Sequence, residues 1–77
     1  MISLNVMVVD DSAITVKKIT SLLDTHGHIV AATCSTGMQA LEQYAKVKPD
    51  VVTMDITMPD MNGIEATQKI IADHPDA

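Results

Sequence analysis

Aromatic residues are almost missing from this sequence. Tyr44 stands alone, with no Phe and no Trp, so the core must be aliphatic and there is no platform on which nucleic-acid bases could stack. Arginine is absent as well: the five basic residues are Lys17, Lys18, Lys46, Lys48 and Lys69. The longest basic run is the Lys17–Lys18 pair and the net charge is −5, which argues against nucleic-acid binding and fits a solvated surface or a cation site. Cys34 is the single cysteine. It can form no intrachain disulfide, as suits a reducing cytoplasm, and it has no His or basic neighbour in sequence to favour a thiolate. No apolar run approaches the roughly 18 residues of a membrane-spanning helix, and the amino terminus lacks the basic start and long apolar core of a signal peptide. These absences predict a soluble cytoplasmic protein with no nucleic-acid or membrane partner.

What is present is a globular composition, 47% hydrophobic against 19% charged, which places the chain outside the disordered class. Its 77 residues allow one small domain, residues 1–77, in which about 60% of the unfolded chain's surface can be buried.

Three short apolar runs alternate with three segments of helical period. Leu4 to Val9 is β-rich and almost wholly apolar, as expected of a strand covered on both faces. Asp10-Asp11-Ser12 ends it, with Ser12 read as a helix cap rather than a nucleophile. Val16, Ile19, Leu22 and Leu23 then recur at helical spacing, and Gly27 supplies a stop. A second strand, Ile29 to Thr33, leads into Thr36-Gly-Met-Gln39, a capping-box pattern that opens a helix with Ala40, Leu41, Tyr44 and Ala45 on one face. Lys46 and Lys48 suit the last turn of that helix, and Pro49 prevents its continuation. The third strand runs from Val51 to Met54, with Asp55 at its end. Asn62 then caps a last helix whose inner face is predicted as Ile64, Thr67, Ile70 and Ile71.

Strand–helix alternation of this kind implies parallel strands joined by right-handed crossovers, with function gathered at the carboxyl ends of the strands. Asp10, Asp11 and Asp55 therefore fall on one rim, and converge if the first and third strands are neighbours. Like charges so close repel, and a hard cation such as Mg²⁺, which favours oxygen ligands and keeps some of its water, relieves the repulsion. A carboxylate can also act as a nucleophile and form an acyl phosphate. An acid after a strand ordinarily just begins a turn or caps the next helix, and the residues alone leave both readings open.

VMVVDDSAI, STGMQALE and PDVVTMDITMPDMNGIEA resemble the receiver domain of two-component response regulators, particularly stand-alone chemotaxis regulators of the CheY type. The resemblance covers Leu4 to Pro75. It implies an α/β, flavodoxin-like fold of which three βα units are present, with parallel sheet order 2-1-3 and without the fourth and fifth units. It further implies that Asp55 is the phospho-acceptor and that Asp10 and Asp11 hold Mg²⁺, Asp11 directly and Asp10 partly through water. Asp55 and the backbone carbonyl of Thr57 complete the protein ligands. Met58-Pro59 and Gly63 match the turn that leaves the site, and Thr57 and Asp60 occupy positions that tune dephosphorylation. The implied partner is a sensor histidine kinase, and the chain is a phospho-accepting module rather than an enzyme.

A complete receiver has five βα units, so the later Ser or Thr hydroxyl and the Lys that contact the phosphoryl group have no counterpart here. Truncation is the simplest account, and with it impaired output and poor labelling: a lost charge-assisted bond is worth about 1.5–3 kcal/mol. In the order 2-1-3 the third strand is an exposed apolar edge, which predicts a homodimer or higher oligomer. A non-phosphorylated oligomeric assembly fragment is the alternative function. A Mg²⁺-dependent phosphatase with an aspartyl nucleophile fits less well, because that class wants Asp-x-Asp after its first strand.

Two further patterns carry no site. Met54, Met58 and Met61 do not converge in sequence with His26, His28 or His74, so packing explains them better than a soft metal. Asp60-Met-Asn62-Gly63 imitates part of a calcium loop, but Met58 stands where the first Asp would be needed.

Overall fold

Val6, Met7, Val8 and Val9 are all buried in strand β1 (Asn5–Val9), which explains an apolar run without alternation: both faces of the strand are covered. In the computed structural model, which describes residues 2–77, β1 is the centre of a parallel sheet of order β2-β1-β3. The flanking strands are β2 (Ile29–Cys34) and β3 (Val51–Met54). This is the α/β arrangement and the strand order that the resemblance implies. The helices are α1 (Ala13–Thr25), α2 (Gly37–Val47) and α3 (Gly63–Asp73). None is long and apolar enough to cross a membrane.

The caps expected from sequence are formed. Ser12, Thr36 and Asn62 accept from the N–H groups of Thr15, Gln39 and Glu65 at 3.3, 3.1 and 2.8 Å. The Gln39 side chain reaches one residue further back than a capping box requires, accepting from the Ser35 N–H at 2.9 Å. Gly27 ends α1 with φ +79°, while His28 N–H donates to the Leu23 carbonyl and Gly27 N–H to that of Asp24. That pair of bonds is a Schellman motif, whose left-handed residue glycine adopts without penalty. Lys48 ends α2 in the same left-handed region, φ 43°, but as a residue with a Cβ.

The main core lies between the sheet and the α2–α3 layer. Met7, Val9, Cys34, Ala40, Tyr44, Met58, Ala66 and Ile70 are buried together, with Val52 and Met54 packed against them. On the opposite face Val6 and Val8 are buried near α1, a helix with no fully buried residue of its own.

Two expectations about helix faces are corrected, and one member of the α1 periodicity points outward. In α1, Leu22 is 60% exposed. In α2, Ala40 and Tyr44 face inward as expected, but Ala45 is exposed. In α3 the inner stripe is Gly63, Ala66 and Ile70, while Ile64 and Ile71 are 58% and 47% exposed and Thr67 is exposed too. The reason is a close approach at the start of α3: a methyl group on Gly63 would overlap the Asp55 carbonyl oxygen. That contact seats Gly63 against the end of β3 and, one and two turns further on, brings Ala66 and Ile70 inward. Ile64 and Thr67 then line a shallow hollow with Met54 and Ile56 at the free edge of β3.

Candidate metal and phospho-acceptor site

The sheet's hydrogen-bond ladder continues one residue beyond the strands and places two of the acids. Asp10 N–H donates to the Cys34 carbonyl and Asp55 N–H to that of Val9, each at 2.9 Å. Asp10 and Asp55 therefore emerge from neighbouring strands at the same level, half-buried, with Asp11 exposed beside them. One carboxylate oxygen from each of Asp10, Asp11 and Asp55 lies within 4.8 Å of the others. Among the described residues this is the one group of three or more His, Cys, Asp or Glu side chains that converges in this way. The convergence inferred from strand order is thus present.

Asp10 is oriented by a firm local bond, Asp55 by a looser contact. Asp10 Oδ1 accepts from the Ser12 N–H at 2.8 Å, a bond that turns the chain into α1. Asp55 Oδ1 faces the Thr57 N–H at 3.4 Å, a long contact. Thr57 itself is exposed. Lys17 lines the same open hollow as Asp10 and Asp11.

The donor set fits Mg²⁺: three hard oxygen ligands on a partly solvated rim. At Mg²⁺–oxygen distances of about 2.1 Å, octahedral ligands stand about 3 Å apart when adjacent and about 4.2 Å apart when opposite. A span of 4.8 Å is slightly wider, so it admits the ion after a small closure or with water between the ion and one carboxylate.

The loop behind Asp55 is closed at its base, where Gly63 N–H donates to the Ile56 carbonyl at 2.7 Å. Asp60 stands apart from the acid trio. Its two carboxylate oxygens accept from the Gly37 and Met38 N–H groups, each at 2.9 Å, at the start of α2. The Gly37 and Met38 bonds hold the Asp60 carboxyl below its ordinary value of 3.8. Nothing in the sequence revealed this bond, since it joins residues 22 and 23 positions apart. The nearest signal is that α2 has no acidic residue in its own first turn. With Asp60 bound to α2 and Asn62 capping α3, the calcium-loop imitation has no free ligands.

The histidines and the cysteine take structural places. His28 Nδ1 accepts from the Leu4 N–H at 3.1 Å, and the His74 ring lies 4.9 Å from that of Tyr44. Burial pushes the Cys34 thiol up, in keeping with an inert side chain.

The sequence profile of the response regulator receiver domain matches residues 6–77. The chain belongs to that family. It is 43% identical over 72 residues to the chemotaxis protein CheY of Thermotoga maritima, an alignment covering 94% of this chain and 60% of that protein. It is also 47% identical over 74 residues to a protein-glutamate methylesterase/protein-glutamine glutaminase of Geobacillus kaustophilus, covering 95% of this chain and 21% of that one. Among solved structures, the CheX–CheY–BeF₃–Mg²⁺ complex from Borrelia burgdorferi superposes with a TM-score of 0.92 at 37% identity. That match covers 95% of this chain and 56% of the other. The response regulator domain of Thermotoga maritima CheB gives 0.90 at 39% identity, covering 96% and 56%. The chain thus spans little more than half the length of these receivers.

Proposed function

We propose that this receiver segment accepts a phosphoryl group on Asp55 from a sensor histidine kinase, as part of a chemotaxis-type, cytoplasmic signalling pathway. The reading rests on the convergence of the Asp10, Asp11 and Asp55 carboxylates at the carboxyl ends of β1 and β3. An Asp55 oxygen attacks phosphorus as the bond from phosphorus to the donor's imidazole nitrogen breaks, and that nitrogen keeps the electron pair and takes up a proton. Asp10, Asp11, Asp55 and the Thr57 carbonyl are the groups that would hold Mg²⁺, which when bound neutralises charge on the transferring oxygens. Asp10, fixed by the Ser12 N–H, supplies an acceptor that keeps its direction while Asp55 is modified. The segment is an acceptor in this transfer rather than a turnover enzyme.

The test is intact-mass analysis after incubation with Mg²⁺ and a small phosphodonor. A phosphoryl adduct in the wild type that disappears in Asp55→Asn and is reduced in Asp11→Ala supports the reading. No adduct, together with no Mg²⁺ binding, overturns it.

A second reading is favoured by the edge strand. Val51, Ile56, Ile64 and Ile71 are 41–61% exposed along the flank that β3 leaves open, a surface suited to association with a second copy. In that reading the chain is an oligomeric assembly unit with no phosphoryl transfer. A mass by light scattering that stays monomeric at every concentration would rule out self-association.

A further inference from the structure

The loop between β3 and α3 is tied at more points than its local sequence requires. Its ends meet through the Gly63–Ile56 bond and the Gly63–Asp55 contact. Between them Met58 is 8% exposed, and Asp60 reaches across to α2, where Oδ1 takes the Gly37 N–H and Oδ2 the Met38 N–H. Met61 closes over Gly37 so tightly that a Cβ there would displace its side chain. Because α2 carries no acid in its first turn, Asp60 supplies the negative charge that a helix amino terminus favours. Thr57 has no comparable anchor: it is exposed, and its N–H is 3.4 Å from Asp55 Oδ1, beyond the usual range of a firm hydrogen bond. Where its carbonyl stands is therefore set by the neighbours that are held.

Resting on the receiver reading above, we infer that Asp60 is a positioning residue of the cation site. Its clasp on the Gly37 and Met38 amides fixes the loop from which the Thr57 carbonyl would serve the ion, although Asp60 joins neither the ion nor the phosphoryl group. The clasp also ties both sides of the rim together. The segment that leads into α2 leaves from Cys34, whose carbonyl holds the Asp10 N–H.

The experiment measures Mg²⁺ affinity in the 77-residue chain from the amide shifts of Asp11 and Asp55. It compares wild type with Asp60→Ala, Asp60→Asn and the control Asp50→Ala. Asp50→Ala removes another carboxylate–amide bond, the one to Asn5, at the far end of the strands, and so reports general destabilisation. Asp60→Ala is expected to weaken Mg²⁺ binding about tenfold, the lower end of what outer partners of metal ligands give. Asp60→Asn, which keeps one acceptor oxygen, falls between, and Asp50→Ala binds as wild type does. Unchanged affinity in Asp60→Ala, or the same loss in Asp50→Ala, overturns the inference. If Asp60→Ala does not fold, Asp60→Asn decides, and wild-type affinity in it is the overturning result. A wild-type chain that binds no Mg²⁺ overturns this inference before any substitution is made, whereas the phospho-acceptor reading falls only if the phosphoryl adduct is missing too.

Discussion

Gly63 lies against the backbone carbonyl of Asp55, with no room between them for a methyl group. Because the obstacle is backbone, it cannot rotate away. Gly63→Ala should therefore cost about 1–3 kcal/mol, the range for forced overpacking, and should disturb the placement of Asp55. Gly27→Ala is the contrast. Gly27 has φ +79° but open space around it, so its cost of about 1 kcal/mol comes from the left-handed backbone alone. Urea unfolding ranks the two, and Mg²⁺ titration should register only Gly63→Ala.

Asp50 and Asn5 clasp the opposite end of the strands. Asn5 N–H donates to Asp50 Oδ2 and Asp50 N–H to the Asn5 carbonyl, both at 2.8 Å. Asp50→Ala removes the first bond, and a loss of about 1 kcal/mol is expected in chemical unfolding. Faster amide exchange at Asn5 would locate the effect.

Lys48 holds a left-handed conformation, φ 43°, between α2 and Pro49. A residue with a Cβ loses about 1–2 kcal/mol there, and glycine recovers it at an unfolded-state entropy cost of about 0.5–1 kcal/mol. Lys48→Gly should leave the fold unchanged and raise stability by up to about 1.5 kcal/mol, read as a higher urea midpoint.

Asp60 gives the molecule an acid-sensitive contact. Hydrogen bonds from Gly37 and Met38 hold its folded value below 3.8, so the unfolded chain takes up the proton first as pH falls. The contribution is complete well above 3.8 and disappears as pH drops through the lower folded value. The stability gap between wild type and Asp60→Asn should therefore be widest near neutral pH and narrow as pH falls below 3.8. A gap that stays constant would show that the carboxylate charge has no part in the contact.

Much of this was legible in the sequence because it is encoded locally. The alternation of apolar runs and helical periods, the caps at Ser12, Thr36 and Asn62, and the acids after β1 and β3 all follow from spacing within a few residues. Of the face expected for α3 only Ile70 is buried, and the rest of its facing was not legible. Ile64, Thr67 and Ile71 form one stripe and Gly63, Ala66 and Ile70 another, and hydrophobicity favours the first. The choice falls to the second because Gly63 meets the Asp55 carbonyl, a tertiary contact that no helical period encodes. Asp60 escaped for the same reason, since its partners lie on another element.

The two faces of the sheet are unequally insulated. On one, Met7 and Val9 lie under interlocked α2 and α3 side chains, whereas on the other Val6 and Val8 depend on α1, which sinks no residue fully into the interior. Local opening is therefore expected first at α1, lifting like a leaf and wetting Val6 and Val8 while the opposite side stays dry, with faster amide exchange along α1 as its sign. Since Asp10 and Asp11 form the stalk of that leaf, a cation joining them to Asp55 would act as a rivet. Its grip would be felt as slower breathing along the whole of α1, far beyond the three acids.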